Sequence, residues 1–218
     1  MNEIAPKNHY FNREYMRSER LLSYIDQLAV LSKFSIHSDT ILEVGKGNGY
    51  FSHFIQTYFN QTVRTVDIVP ELKPDYCVDI SSKEFILPTT FDIGVCFEVM
   101  EHIEWERLGI VVDNLRKYVK KYLIISVPDA NFFLQFKINR LLFKYIPLNL
   151  TVSIPRFLKN RSTIVNSHFW EIGIYHSNRR ITDKILINAV LGIENVLSHY
   201  RGRHFPGHHF FVLKGNAR

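Results

Sequence analysis

The sequence contains no long apolar run and very little cysteine. No stretch of its 218 residues approaches the roughly 20 consecutive apolar residues that a membrane-spanning helix needs. The first twenty residues, MNEIAPKNHYFNREYMRSER, are polar and charged, without the apolar core of a signal peptide. Cys77 and Cys96 both fall inside predicted strands, so we expect two small buried hydrophobes rather than a disulfide framework. These absences predict a cytoplasmic protein.

Two common phosphate-binding motifs are also absent. The stretch ILEVGKGNG ends with Gly45, Gly47 and Gly49, but G-x-G-x-x-G would need glycine or alanine at position 50, where the chain has Tyr50. No Gly-Lys-Ser/Thr sequence of a Walker loop follows the glycines. A pyrophosphate ligand is therefore disfavoured.

Acidic residues are scarce in the later part of the chain. Residues 1–129 contain 14 Lys/Arg and 18 Asp/Glu, a net charge of −4, whereas residues 130–218 contain 13 and 3, a net charge of +10. Six of the ten histidines also lie in the later part. This asymmetry indicates different roles for the two parts and favours an anionic partner for the basic one.

From residue 41 to residue 127, strand-length apolar runs alternate with helical stretches. The predicted strands are TILEV, VRTVDIV, YCVDI, FDIGVCF and YLIISVP, and the predicted helices include YFSHFIQTYF and EWERLGIVVDNLRKYVKK. Strands that are apolar on both faces and alternate with helices are typical of a doubly wound parallel sheet. ENVLSHY and HHFFVLK flank RGRHFPG and predict an antiparallel C-terminal hairpin. We therefore predict one α/β domain, residues 1–218, with a mostly parallel seven-stranded sheet and an N-terminal helical segment at 1–35.

The glycines follow a strand and precede a helix, at the edge where open α/β sheets bind ligands. Glu43 lies two residues before the first glycine, and Asp67 ends the second predicted strand, where one carboxylate can accept hydrogen bonds from two ribose hydroxyls. Asp79 ends the third predicted strand, where an adenine amino group could donate to it. An adenosine with a cationic, phosphate-free tail fits this set, which describes S-adenosylmethionine.

The motifs ILEVGKGNG, TVDIV, CVDI, FDIGVCFEVMEHI and YLIISVPD resemble, in order, those of class I S-adenosylmethionine-dependent methyltransferases of the broad type 11/type 12 group. The resemblance covers roughly residues 36–128, and the predicted hairpin matches the last two strands of that family. Lys46 departs from the pattern, since a small or acidic residue is more usual there. The resemblance implies a Rossmann-like methyltransferase fold and a cofactor site formed by Glu43, Gly45, Gly47, Gly49, Asp67, Ile68, Asp79, Ile80, Phe97 and Glu98.

FEVMEHIE places Glu98, Glu101 and His102 at i, i+3 and i+4, which share one face of a helix. Two carboxylates and an imidazole are a candidate site for Mg²⁺ or Mn²⁺, with His168 or His176 as a further ligand. The spacing resembles that of the metal-assisted O-methyltransferases of ubiquinone synthesis and of small-RNA 3′-end methylation. The alternative is a solvated helical turn at the cofactor pocket.

Residues 130–178 break the α/β rhythm, and we predict a basic acceptor-binding insertion or lid there. FFLQFKINRLLFKYI spaces its cations like a helix, which indicates a lid, an amphipathic helix on an anionic membrane, or core packing with a cationic outer face. In HFWEIG, Trp170 is either a platform for a sugar ring or a core residue. The cations of the insertion are Lys137, Arg140, Lys144, Arg156, Lys159 and Arg161.

The leading functional prediction is an enzyme that transfers a methyl group in line to a hydroxyl of a small-molecule, glycan or lipid-linked acceptor. His102, His168 and Glu171 are the candidate general bases. FEVM stands where an N-directed NPPY-type tetrapeptide would follow the fourth strand, which disfavours methylation of DNA bases or glutamine. The alternatives are a metal-assisted RNA 2′-O-methyltransferase and a non-catalytic binding module; nothing resembles an RNA-recognition motif.

Overall fold

The structure, a computed structural model, describes residues 10–138, 148–154, 168–176 and 179–217. The helices are α1 (Ser18–Phe34), α2 (Tyr50–Phe54), α3 (Leu108–Arg116) and α4 (Asp183–Leu186); π-helical turns, Ile55–Phe59 and Ile187–Leu191, extend α2 and α4. Single 3₁₀ turns cover Pro70–Leu72, Met100–His102 and Trp105–Arg107. The strands are β1 (Ile41–Val44), β2 (Val63–Asp67), β3 (Tyr76–Cys77), β4 (Phe91–Phe97), β5 (Val119–Pro128), β6 (Phe132–Ile138), β7 (Leu148–Ile154), β8 (Tyr175–His176), β9 (Arg179–Arg180), β10 (Val196–Arg201) and β11 (His208–Lys214).

The central sheet has seven strands in the order β10-β11-β5-β4-β1-β2-β3. Strands β3, β2, β1, β4 and β5 are parallel, β11 is antiparallel to β5, and β10 is antiparallel to β11. The doubly wound α/β fold and the antiparallel C-terminal hairpin predicted from the sequence are therefore confirmed.

Both faces of the sheet are covered by apolar side chains, and this explains the continuous apolar runs of the strands. Leu42 and Val44 of β1 belong to the core on the side of α3, while Ile41 of the same strand packs with Leu31 of α1 on the other side. All four residues of β1 are buried. Because successive side chains of a strand point to opposite faces, β1 contributes to both cores.

The carboxyl ends of the parallel strands meet at one edge of the sheet, and the loops after them carry the candidate site. The glycine loop follows β1, Asp67 closes β2, Glu98 follows β4, and Asp129 follows β5. Ligands of open α/β sheets bind at this edge. The fold thus brings together residues that are far apart in the sequence.

Three local predictions need correction. The third strand is only two residues long, and Cys77 in it is exposed, whereas Cys96 in β4 is buried; both are free thiols. The helix predicted from residue 104 begins with a 3₁₀ turn, and its α-helical part covers only Leu108–Arg116. Edge strands have a partner on one side only, so β3 is held by β2 alone and stays short.

The helical spacing of the cations at the start of the basic insertion does not correspond to a helix in residues 132–138. Residues 132–138 form β6, which pairs antiparallel with β7 in a separate two-stranded ribbon. The Phe-Phe-Leu-Gln-Phe sequence combines aromatic residues of high β-propensity with a period of two, and this outweighs the helical spacing of the cations. Arg140, Lys144, Arg156, Lys159 and Arg161 lie outside the described residues. Among the described helices, none is long and apolar enough to cross a bilayer.

Candidate active site

The glycine loop between β1 and α2 adopts a backbone that side chains would obstruct. Gly45, Gly47 and Gly49 have φ values of +81°, +52° and +72°, in the left-handed region that glycine favours. A Cβ on Gly45 would lie 2.3 Å from Cγ2 of Val99, whereas one on Gly47 would have its nearest neighbour at 3.7 Å. The loop is therefore anchored against Val99 at its start and open at its centre.

Asp67 stands beside the glycine loop at the end of β2. Its Oδ2 accepts a hydrogen bond from the Gly47 backbone N–H at 3.4 Å, and its Oδ1 accepts one from the Val69 N–H at 2.9 Å. The neighbouring Ile68 is 48% exposed. A half-buried carboxylate next to an exposed apolar side chain could receive the hydroxyls and the flat base of a nucleoside.

Asp79 makes more contacts with neighbouring protein side chains than Asp67 does. Its Oδ1 accepts hydrogen bonds from the backbone N–H and the hydroxyl of Ser81 at 2.8 and 2.6 Å, and its Oδ2 lies 3.6 Å from Arg107 Nη2. Ile80 is buried in the core, and its carbonyl accepts a hydrogen bond from Asn114. Asp79 therefore shapes the turn after β3, and Oδ2 is the oxygen that remains for a ligand.

Glu43 is buried inside β1, directly below the loop. Its Oε2 has no hydrogen-bond partner, and burial raises the pKa of its carboxyl group to about 8, against the opposing effects of Ser52 and Lys46. Lys46 bends back to donate to the Lys73 carbonyl at 2.5 Å. An orphaned buried carboxyl oxygen is costly unless a ligand completes its hydrogen bonds, so Glu43 fits a ligand that carries an ammonium group.

Three residues of the N-terminal segment approach the loop and were not predicted. The ring of Tyr10 and the hydroxyl of Tyr15 are the nearest groups to the open position on Gly47. The Arg20 guanidinium lies 4.6 Å from the centre of the Tyr15 ring, and its positive charge acts on Glu98 and Glu101. No local motif marks these residues, because only the packing of α1 brings them to this edge.

Glu98 follows β4 in a left-handed conformation, with φ of +56°. Its Oε1 accepts a hydrogen bond from Ser126 at 2.7 Å, and its Oε2 lies 2.8 Å from His208 Nε2; His208 Nδ1 is 2.8 Å from the Ser23 hydroxyl. Burial alone would raise the pKa of Glu98, but His208 and Ser126 hold it below its ordinary value. A positive φ costs energy for a residue other than glycine, and backbone of this kind clusters at functional sites.

The three predicted bases, His102, His168 and Glu171, lie close together. His168 Nδ1 lies 2.7 Å from Glu171 Oε1, its Nε2 lies 4.0 Å from Glu101 Oε1, and the two imidazole rings meet edge to face at 4.8 Å. Burial and then the charge of Glu98 raise the pKa of Glu101 well above its ordinary range, and its Oε2 has no hydrogen-bond partner. The group holds an imidazole between two carboxyl groups.

The predicted metal set is rearranged. Met100–His102 is a 3₁₀ turn and Glu98 lies in the preceding bend, so Glu98, Glu101 and His102 do not share a helical face. Glu101, His102 and His168 have ligand atoms within 4.8 Å of one another, while Glu98 turns to Ser126 and His208 instead. His176, the other candidate ligand, is described in its backbone only, as part of β8.

Two aromatic side chains of the predicted site serve the core. Trp170 is 1% exposed, donates its Nε1–H to the Ile103 carbonyl at 3.1 Å, and meets Trp105 edge to face at 5.3 Å. Of the two alternatives for Trp170, a core residue and a platform for a sugar ring, the structure therefore shows the core residue. Phe97 is only partly buried, and its ring packs edge to face against Phe51 and Phe210.

The strand order and the antiparallel C-terminal hairpin give the sheet a Rossmann-like topology, which solved structures of S-adenosylmethionine-dependent methyltransferases share. No protein-family model and no curated protein matches the chain. The PH0226 protein of Pyrococcus horikoshii OT3 superimposes with a TM-score of 0.60, at 13% identity over 98% of this chain and 100% of that chain.

Two further solved structures are named methyltransferases. The glycopeptide N-methyltransferase MtfA, complexed with sinefungin, matches with a TM-score of 0.57 at 12% identity, over 88% of this chain and 94% of that chain. The N-methyltransferase NodS of Bradyrhizobium japonicum WM9, complexed with S-adenosylhomocysteine, matches with a TM-score of 0.56 at 11% identity, over 96% and 95%. At these identities the likeness establishes the fold, and the chemistry must come from the residues of this chain.

Proposed function

We propose that the protein transfers a methyl group from S-adenosylmethionine to a hydroxyl group of a small acceptor. The observation that carries this proposal is the contact between Val99 and Gly45. It joins the glycine loop to the stretch that bears Glu98 and Glu101, and Glu101 in turn faces His168. The residues that we propose bind the nucleoside, the first half of the site, and those that we propose accept the proton, the second half, therefore lie next to one another.

The first half would hold the cofactor. Asp67 would accept from the ribose hydroxyls, Glu43 would pair with the ammonium group, and Arg20 would attract the carboxylate. When bound, S-adenosylmethionine supplies a methyl group that its sulfonium already makes electrophilic. The protein therefore has to position the acceptor and exclude water, and positioning can lower a barrier by roughly 7–11 kcal/mol.

The second half would accept the acceptor's proton. His168 Nδ1 lies 2.7 Å from Glu171 Oε1. We assign the imidazole proton to Nδ1, where the Glu171 carboxylate would accept it, so that the lone pair on Nε2 would be the basic site. Nε2 would take the hydroxyl proton as the hydroxyl oxygen bonds to the methyl carbon and the carbon–sulfur bond breaks, which would leave neutral S-adenosylhomocysteine. Glu171 would stabilise the imidazolium that forms. We assign His168 as the general base, Glu171 as its positioning partner, and His102 as a neighbouring contact.

The acceptor is proposed to be anionic and small or glycan-like, because the chain from 130 to 218 carries a net charge of +10. An amine is the alternative nucleophile, since NodS and MtfA are named as N-methyltransferases. Mass spectrometry of the methylated product separates the two alternatives: an N-methyl product rejects the hydroxyl assignment but retains methyl transfer.

A metal-assisted reaction, including RNA 2′-O-methylation, is the second candidate. It is favoured by the cluster of Glu101, His102 and His168, whose ligand atoms lie within 4.8 Å, and by the orphaned Oε2 of Glu101. A hard cation would require an ionised Glu101. Turnover that EDTA abolishes and Mg²⁺ restores would support this candidate, whereas full turnover in EDTA supports the metal-free base.

Calorimetry with S-adenosylhomocysteine tests the cofactor half directly. We expect the wild-type protein to bind, and Asp67→Asn to bind at least about tenfold more weakly, because a charged acceptor for two hydroxyls is lost. Asp113→Asn, which removes an exposed acid from α3, is the matched control. A protein that does not bind at millimolar ligand would contradict the proposal and favour a non-catalytic binding module.

A further inference from the structure

The ribbon of β6 and β7 has one entirely apolar face. In an antiparallel pair, directly opposed residues point to the same side, and alternate residues share a face. The pairs Phe132–Ile154, Leu134–Val152 and Phe136–Leu150 therefore lie on one face, and Phe133–Ser153 and Gln135–Thr151 on the other. We call the first set the apolar ribbon face: Phe132, Leu134, Phe136, Leu150, Val152 and Ile154.

Every side chain of the apolar ribbon face is largely exposed. Their exposed fractions range from 41% for Ile154 to 58% for Phe136. The opposite face is tied to the protein, because Gln135 donates to the Arg203 carbonyl at 2.7 Å. The apolar face therefore points away from the body, over a length of about 20 Å for seven residues in a strand. Contiguous apolar patches of this kind mark interaction surfaces.

The charge of the surrounding chain identifies the partner. From residue 130 to residue 170 the sequence contains no Asp or Glu and six Lys or Arg. A second copy of the chain would bring together two stretches of this cation-rich, acid-free sequence. A nucleic acid could stack bases on the two Phe rings but would leave the four aliphatic side chains of the face without an apolar partner. An apolar face within a cationic, acid-free stretch matches a bilayer with anionic headgroups, where apolar side chains enter the interface and cations meet phosphates.

We propose that the apolar ribbon face docks the protein onto anionic lipid bilayers as a peripheral membrane-binding surface. The proposal is independent of methyl transfer, because vesicle binding and cofactor binding are measured separately. It also differs from a membrane-spanning segment, since the ribbon would enter only the interfacial region.

Adjacent residues of β7 provide a matched test. Val152 lies on the apolar ribbon face and Ser153 on the opposite face, and both are exposed. Val152→Asp and Ser153→Asp change the net charge equally, so only the face differs between them. The full-length protein and both variants are floated with vesicles of phosphatidylcholine alone and of phosphatidylcholine mixed with phosphatidylglycerol, at low and high salt.

We expect the wild type to bind the phosphatidylglycerol vesicles, and more weakly at high salt. Val152→Asp should lower the partition coefficient at least about tenfold, and Ser153→Asp much less, because an apolar side chain leaves the interface in the first variant only. The fluorescence of Val152→Trp should shift to the blue on vesicle binding, and that of Ser153→Trp should not.

Four outcomes would overturn the proposal. An equal loss of vesicle binding in the two Asp variants would show that the apolar ribbon face has no special role. Equal binding to vesicles without phosphatidylglycerol would show that anionic headgroups are not needed. A dimer in ultracentrifugation that Val152→Asp alone dissociates would assign the face to a second copy. A fall in melting temperature in Val152→Asp alone, without vesicle binding by the wild type, would show that the chain covers the face itself.

Discussion

Glu98 Oε2 and His208 Nε2 lie 2.8 Å apart, although one follows β4 and the other begins β11. Ser126 of β5, the strand between them in the sheet, donates to the other oxygen of the same carboxylate. The contact therefore closes a polar bridge across three neighbouring strands. It also gives a buried carboxylate the partners that keep it ionised.

Replacing His208 should destabilise the protein in a pH-dependent way. The pKa of Glu98 is below its ordinary value of 4.5, so the pair contributes full stability above that pH and loses it as pH falls through the lowered pKa. His208→Asn leaves a buried carboxylate without its partner, and we expect a loss of about 3 kcal/mol at neutral pH. Urea denaturation at neutral and acidic pH should show the difference shrinking below pH 4.5. An equal loss of stability at both pH values would contradict an ionised Glu98. His37→Asn, which changes an exposed histidine, is the control.

Glu43 should have the opposite effect on stability. Its pKa is about 8 in the folded protein and its ordinary value is 4.5, so the folded state holds a proton that the unfolded chain releases, and stability falls as pH rises between these values. Glu43→Gln removes this penalty. We expect the variant, without cofactor, to be more stable than the wild type by about 3 kcal/mol at neutral pH, and nearly equal to it below pH 4.5. If the variant were less stable than the wild type at every pH, Glu43 would not be a carboxyl group that lacks a hydrogen-bond partner in the folded protein.

His168 and Glu171 should affect turnover without affecting cofactor affinity. With a hydroxyl acceptor that supports turnover, we expect His168→Asn to lower kcat by about 10²–10⁴-fold, and Glu171→Gln by less, because the imidazole remains but loses its orienting partner. Calorimetry should give both variants the wild-type affinity for S-adenosylhomocysteine. His37→Asn should change neither quantity. Unchanged turnover in His168→Asn would remove it as the base.

Asp26 should be important for stability because it organises the loop between β10 and β11. Its carboxylate accepts backbone N–H groups from Arg203, His204 and Phe205 at 2.8–3.1 Å, and a Cβ on Gly202 would lie 2.6 Å from its Oδ2. Asp26→Asn places an N–H donor against N–H donors, so we expect a loss of about 2–4 kcal/mol in chemical denaturation. Asp113→Asn should stay within about 0.5 kcal/mol of the wild type, as an exposed substitution does. A similar small effect for Asp26→Asn would contradict the loop-organising role.

Most of the sheet could be predicted from the sequence because its signals are local. FDIGVCF is β4 residue for residue, and the glycine loop, Asp67 and the C-terminal hairpin stand where the apolar runs and turn residues place them. The ribbon was missed because its alternating aromatic residues and its helically spaced cations predict different structures. The choice between them depends on pairing with β7, which is a contact between segments separated along the chain.

The sequence by itself determined the alternation of strands and helices, the glycine loop and the acids at the strand ends, since each depends on side-chain periodicity or backbone freedom within a few residues. Only the tertiary structure decided that Glu98 faces His208 rather than a metal set, that Tyr10, Tyr15 and Arg20 reach the loop, and that Trp170 fills the core. These relationships depend on strand order and helix packing, which bring distant segments into contact and decide which polar atoms are buried together.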